Sequence, residues 1–429
     1  MDVVVQQEMD KIEITFLLGD DDGYYNKNIK MDNTSMYVEI NENMNIEIIH
    51  PDHMALAILL VANPFIGSVI QIPFAVSEKF KEATKIITKY NIIFVEGEVK
   101  PYSPTGKTKP GLSFSGGADS TAALLLMPET TLAVFMDRPL KKRASLYNKS
   151  AAYATIKHAN AIGHDVRIVE CNLEYLRSPI GFPSDLAPSV PLILMAAKNN
   201  VDSIAFGTVL ESAYRVGHES CREYTTSGHY RVWGGMFSAA GIPLYLPVSG
   251  ISEVGTSLIV QSSSFKKYTR SCIRGVWPES CENCWKCFRK NLVENRLLNQ
   301  PLGDIEMKEW LSVREVQYKL KAWPISHENV LAWSLQGSNS AGLIKQILLN
   351  RTEGSIRDMA FLERWYSPSI ELIPPEYQIN TEREILKFLK PMKSNEVNQI
   401  TTHNMTDWLN SLDAKKSQEI FLQLLNSPS

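Results

Sequence analysis

Between residues 111 and 206, short apolar runs alternate with longer helical ones. Gly111 to Phe114, Thr131 to Met136, Asp165 to Val169 and Ser203 to Phe206 have strand length. A helix through Leu126, a second over Ser145 to Ile162 and a third over Pro188 to Asn199 fall between them. Apolar strands separated by helices predict an α/β fold: a parallel sheet with helices on both faces. Ligands of such sheets sit at the C-terminal ends of the strands. The loops after Phe114, Met136, Val169 and Phe206 are therefore expected to line one site.

The flanking regions read differently. Residues 1–105 mix strand and helix signals and predict an α+β accessory domain. Strands are expected at 11–16, Met36 to Ile40, Asn45 to Ile49 and 91–95, and helices at Met54 to Ala62 and Glu78 to Tyr90. Three prolines between Pro101 and Pro110 mark a linker. Residues 106–298 form the α/β domain, closing with a strand at Leu244 to Val248, a helix at Glu253 to Gln261 and a cysteine cluster. Residues 299–429 read as mainly helical: Ile305 to Leu320, Ala341 to Leu349, Ser355 to Trp365, Glu382 to Leu389 and Lys415 to Leu425. No internal repeat is visible.

Charge and hydropathy exclude several classes. A net charge of -3 is not that of a generic polyanion binder, so nucleic acid is not the expected partner. The longest apolar stretch, Ala55 to Ile70, is interrupted by Asn63, Pro64 and Gly67, so no membrane span is expected. The first residues lack a basic and then apolar leader, which predicts a cytoplasmic protein with reduced cysteines.

Two motifs carry chemistry. In Ser113-Phe114-Ser115-Gly116-Gly117-Ala118-Asp119-Ser120, a strand ends and a helix begins. Paired glycines let backbone approach a ligand closely, and loop N–H groups suit a phosphate. Ser115 and Ser120 add hydroxyls, and Asp119 suits magnesium. The plain alternative is a tight turn with a serine cap. Upstream, Gly106-Lys107-Thr108 mimics the end of a Walker A loop, but Pro101 stands where that motif needs glycine.

The second motif is Cys272, Cys281, Cys284 and Cys287, spaced C-x8-C-x2-C-x2-C. Four thiolates fit one tetrahedral zinc in a closed, structural site. An iron–sulfur cluster uses the same ligands. Around it, Lys266, Lys267, Arg270, Arg274, Lys286, Arg289 and Lys290 face only Glu279 and Glu282. That excess attracts an anionic ligand or partner, or else forms a solvated face. Cys171 reads as a core residue. Cys221, His218 and His229 lie in one loop region and read as polar or packing residues with catalytic alternatives. Asp20-Asp21-Asp22-Gly23 reads as a surface loop.

The segment Ser115 to Ser120 resembles the PP-loop of the ATP pyrophosphatases, S-G-G-x-D-S. Joined to the cysteine spacing, it resembles QueC, the 7-cyano-7-deazaguanine synthase family, over roughly residues 110–295. Ser271-Cys272, Phe288-Arg289-Lys290, Ser220-Cys221-Arg222-Glu223-Tyr224, Gly207 and Asp137 carry further similarity. The chain departs from that family in three places. Arg138-Pro139-Leu140 replaces Tyr-Gly-Gln, Ala187 to Pro191 lacks an Arg-Asn pair, and Ile251-Ser252-Glu253 lacks a lysine.

The resemblance implies a Rossmann-like fold of the adenine nucleotide alpha hydrolase type, with ATP, Mg2+ and Zn2+ as cofactors. Ser115, Asp119 and Ser120 would be catalytic. Ser113, Phe114, Gly116, Gly117, Asp137 and Gly207 would complete the nucleotide site, and Glu211 and Arg222 would meet the substrate; Glu211, four residues past Gly207, could instead meet a metal. The implied activity is adenylation of 7-carboxy-7-deazaguanine, then coupling to a nitrogen nucleophile to give an amide or nitrile. QueC-like proteins with added domains occur in antiphage operons, which implies a partner-protein amine as acceptor. Homodimers are common in the family. The rival readings are a tRNA-thiolating PP-loop enzyme using Cys221, and a nucleotide-binding scaffold with a decayed site.

Overall fold

The computed structural model describes residues 1–39, 45–140, 147–301, 303–337, 342–352 and 357–426. Ile40, Ser145, Leu146, Ala341, Ser355 and Ile356, which close or open expected elements, lie outside them.

The architecture is mixed α/β with a helical C-terminal region. β1 (Asp2–Glu8), β2 (Lys11–Leu17), β3 (Tyr24–Asn26), β4 (Ile29–Met31), β5 (Ser35–Glu39), β6 (Val69–Ile72) and β7 (Asn91–Phe94) come first. Of these, five form a mixed sheet ordered β5-β2-β1-β6-β7. On β2 the inward residues Ile12, Ile14 and Phe16 are buried and alternate with more exposed ones. Helix α1 (Pro51–Ala62) is buried on every side after Pro51: Met54 to Ala62 are apolar all round, and Asp52 and His53 are buried against Ser77 and the Ala240 carbonyl.

The second sheet is parallel throughout. It contains β8 (Lys109–Ser113), β9 (Leu132–Asp137), β10 (Asp165–Glu170), β12 (Val201–Ala205) and β13 (Leu244–Tyr245), ordered β10-β9-β8-β12-β13. A two-residue β11 (Arg177–Ser178) pairs instead with β4. All six residues of β9 are buried. Leu132, Val134 and Met136 join one apolar cluster, and Ala133 and Phe135 join another. This period-two division is what a strand covered on both faces produces. The first face meets α5 (Val190–Met195), which also packs on α1. The second face meets α3 (Ala118–Leu126), α4 (Ser150–Ala161) and α8 (Glu253–Gln261). The chain runs outward from β8 to β9 and β10, then returns to place β12 on its other side. A crevice therefore opens between the ends of β8 and β12, the topological switch point.

Several expected elements change in the structure. Asn45 to Ile49 is a 3-10 turn over Ile46–Ile48, where the Asn45 side chain caps Glu47 N–H. Helix α2 (Glu78–Thr84) stops before the β-branched run Ile86-Ile87-Thr88. The helix expected to Asn199 is only α5. The strand expected over Leu244 to Val248 is two residues long, because the Leu246 N–H donates instead to Leu372.

After α6 (Leu210–Ala213) and α7 (Gly235–Ala239), the cysteine segment leads into α9 (Trp285–Leu297). Ile305 to Leu320 splits into α10 (Asp304–Ser312) and α11 (Arg314–Lys321), where Val313 turns extended. Then come α12 (Glu328–Gln336), α13 (Leu343–Asn350), α14 (Pro375–Leu386), α15 (Ser394–Thr401), α16 (Thr406–Asn410) and α17 (Leu412–Asn426). Among the described residues of the helix expected from Ser355 to Trp365, a 3-10 turn over Ala360–Glu363 forms. No helix among the described residues is long and apolar enough to cross a membrane.

Candidate functional site

The loop from Ser113 to Ser120 leaves β8 and enters α3 at the switch point. Gly116 has φ +72, and a Cβ there would stand 2.9 Å from Ala152 Cα on α4. Both the left-handed backbone and the close helix demand glycine. The Ser115 and Ser120 hydroxyls are 2.9 Å apart, and Ser120 Oγ also accepts from Ser115 N–H. From the end of β12, Gly207 presses on α3, where a Cβ would stand 2.8 Å from Ser120 N. Its lack of a side chain lets the two strand ends close on the loop.

A cavity of about 250 Å³ opens beside this loop. Ser113, Phe114, Ser115 and Gly117 line one side, with Phe135 and Met136 from β9. Tyr147, Phe182 and Pro188 add an apolar flank, and Arg138, Arg270, Ser271 and Lys286 a polar one. Arg138 is anchored by Glu174 at 2.7 Å and lies over the Tyr147 ring.

Ser271 ties the two sequence motifs together: its Oγ accepts the Ala118 N–H at 3.2 Å. Asp119 accepts from Thr256 Oγ1 at 2.7 Å and faces Lys290 Nζ at 3.9 Å. The same ammonium lies 3.8 Å from Glu253, which also pairs with Arg289 at 2.9 Å. Burial raises the Glu253 pKa, but Lys290 and Arg289 outweigh it and hold this carboxyl below its usual range.

The four cysteine sulfurs lie within 4.8 Å of one another, with Cys281 and Cys287 at 3.7 Å. Tetrahedral zinc–thiolate bonds of about 2.3 Å set sulfurs roughly this far apart. Backbone N–H groups of Arg274, Gly275 and Cys281 donate to Cys272 Sγ, and that of Cys287 to Cys284 Sγ. Burial opposes the Cys272 thiolate, but these donors outweigh it and hold the thiol low. This donor set fits a metal such as zinc.

Other expected site residues fall elsewhere. Asp137 ends β9 but points to α4, accepting from Lys149 at 2.7 Å and Tyr153 at 2.9 Å. Glu211 is buried away from the cavity. It accepts from Glu253 N–H and, at 2.9 Å, from Asn329 on α12. Burial, then the Glu253 charge, pushes its pKa up to about 7. Arg222 donates to the carbonyls of Ala213 and Ser212 and so braces its own loop. His229 meets the Tyr224 hydroxyl, and the His218 carbonyl contacts His403. Burial and Glu223 push the Cys221 thiol up, and burial pushes Cys171 up to about 12, as a core thiol requires. None of these residues lines the loop cavity.

The sequence assigns Thr256 no role, counts Lys286 only in a charge excess, and gives Lys290 a part in that excess and in the Phe288-Arg289-Lys290 similarity. The i, i+4 spacing of the lysines beside Cys284 and Cys287 puts both on one helix face.

Residues 232–404 match a family of unknown function (DUF6395). This stretch takes in α8, the cysteine segment and much of the helical region, but not the loop. No curated protein and no solved structure matches the chain.

Proposed function

We propose that the chain is an ATP pyrophosphatase of the PP-loop type, on a Rossmann-like sheet, with QueC-like chemistry. The observation that carries this reading is the Ser115 to Ser120 loop at the switch point, opening on a cavity whose far wall holds Arg270, Ser271 and Lys286. The apolar flank of Phe135, Met136 and Tyr147 suits a nucleobase.

A substrate carboxylate, that of 7-carboxy-7-deazaguanine, attacks the α-phosphate of ATP. Pyrophosphate leaves, and an acyl-adenylate remains for a nitrogen nucleophile to displace AMP. A carboxylate is a poor electrophile, so adenylation supplies the leaving group while the protein supplies position and charge. Lys286 and Arg270 face the charge that develops on the departing phosphates. Asp119, with one oxygen held by Thr256, would bind magnesium, which would supply positive charge at the phosphates. Lys290 reaches Glu253 from α9 and brings an ammonium to the neighbourhood where Ile251 leaves a lysine missing.

Within this proposal the protein is cytoplasmic, the acceptor is an amine of a partner protein in antiviral defence, and the chain pairs as a homodimer. The thiolation reading has less support, since burial pushes the Cys221 thiol up and Cys221 lies off the cavity. Incubation with ATP, magnesium and 7-carboxy-7-deazaguanine is expected to yield AMP and pyrophosphate, and Asp119→Ala to reduce the rate by at least about 100-fold. ADP as the product, or unchanged turnover in the variant, sinks the proposal.

A further inference from the structure

Arg138 lines the loop cavity, and the reaction proposed above leaves it without a part. It follows directly on β9, at one of the places where the chain departs from the QueC pattern. Asp137 before it turns to Lys149 and Tyr153, while Arg138 reaches the cavity.

The guanidinium is held on several sides. Nη1 meets the two carboxylate oxygens of Glu174 at 2.8 and 2.7 Å. The guanidinium carbon lies 3.8 Å from the centre of the Tyr147 ring and 5.4 Å from that of Phe182. The Pro139 carbonyl accepts from the Tyr175 hydroxyl, so the 3-10 turn over Leu173–Leu176 fixes both the side chain and the backbone that follows it. A planar fork held this way loses little freedom on meeting a ligand. Glu174 stands outside the cavity lining and offsets the charge of Arg138. What Arg138 keeps for a ligand is therefore its directed donors rather than net charge. A guanidinium has five N–H groups, and Nε has no hydrogen-bond partner among the described residues.

On a base, such a donor set reads an acceptor edge. Arginine pairs with O6 and N7 of guanine, two acceptors side by side, whereas adenine offers a 6-amino donor in place of O6. The base of 7-carboxy-7-deazaguanine keeps O6 and carries its carboxylate at the neighbouring ring position 7, so two acceptors again stand side by side. Phe135, Tyr147 and Phe182 supply aromatic surface for the ring of that base.

We propose that Arg138 is a specificity-determining residue: it donates to O6 and to one carboxylate oxygen of the 7-carboxy-7-deazaguanine base, and so selects a 6-oxo over a 6-amino base at this end of the cavity. The other carboxylate oxygen stays free to attack phosphorus. The inference rests on the reaction proposed above for the identity of the base. It assigns the Tyr147 end of the cavity to the substrate and not to the adenine of ATP.

The test is calorimetric titration of the full, metal-loaded chain with three ligands: 7-carboxy-7-deazaguanine, its 2,6-diamino counterpart, and a non-hydrolysable ATP analogue with magnesium. The wild type is expected to bind the 6-oxo base at least about tenfold tighter than the diamino one. Arg138→Met with Glu174→Gln removes the fork without stranding a buried carboxylate, and should erase that preference. Arg138→Lys keeps a charge beside Glu174 but loses the fork, and should cut the preference below about threefold. The ATP analogue should bind all three proteins within about threefold, which guards against a folding artefact. No binding of the 6-oxo base to the wild type, equal affinity for the two bases, a preference that survives in both variants, or a parallel loss of the ATP analogue in both overturns the inference. Base selection by Arg138 without AMP formation from ATP sinks the proposed reaction and leaves the role of Arg138 standing. AMP formation with base selection independent of Arg138 does the reverse.

Discussion

Glu211 is a buried carboxyl held by its neighbours on two helices. Its place after Gly207 pointed to the substrate, but the structure sets it between the α8 start and Asn329. An acid whose folded pKa rises from 4.5 to about 7 contributes least above that value. Below pH 4.5 it is protonated in both states and costs nothing. Between pH 4.5 and 7 only the unfolded chain releases the proton, so stability falls as pH rises. Glu211→Gln should therefore melt higher than wild type at pH 8, by up to roughly 3 kcal/mol, with the gap closing near pH 4.5. Thermal melts across that range check it, and a gap independent of pH would contradict the titration. At Gly116 the structure adds a left-handed backbone and a close approach to Ala152 on α4 to the sequence reading of a ligand-approaching glycine. Gly116→Ala is expected to cost about 1–2 kcal/mol for its left-handed backbone, with a further cost from Ala152, read as a lower denaturant midpoint.

Among elements, those with local causes were readable and those with distant causes were not. β9 and α8 follow from apolar runs and a serine cap, and both lie where the sequence placed them. β13 is cut to two residues by a hydrogen bond to Leu372, which no local pattern announces. The cysteine spacing announced a cluster of four sulfurs that could hold a metal, but not that Ser271 would hold Ala118 or that α9 would turn two lysines toward the loop. Those contacts depend on how the cysteine segment folds back across the strand ends. Metal analysis of the purified chain is expected to find about one zinc per chain, and Cys284→Ser to lose most of it. Iron with acid-labile sulfide would assign the cysteines to a cluster instead.

For the whole molecule, the regions outside 106–298 share apolar clusters with the parallel sheet. Trp365, Ile373, Ile385 and Leu389 pack in the cluster that holds Leu112, Phe114 and Ala122. On the other face, Ile14, Phe16 and α1 join the cluster that contains Leu132 and Val134. Composition could mark a linker at 101–110, but it could not show that the chain on either side of the sheet supplies its cover. A chain ending after Leu298 would expose the face that Trp365 and Ile385 bury, and is expected to be insoluble or to melt far lower than the full chain. Soluble yield and a melting curve decide this, and a stable 1–298 fragment would show that the sheet needs no such cover.

The central claim is that a carboxylate oxygen attacks the α-phosphate of ATP. The most direct measurement uses 7-carboxy-7-deazaguanine labelled with oxygen-18 in its carboxylate, with ATP, magnesium and a nitrogen donor, followed by mass spectrometry of the nucleotide. Adenylation followed by displacement predicts AMP carrying one labelled oxygen. Unlabelled AMP, or ADP in its place, would contradict the account.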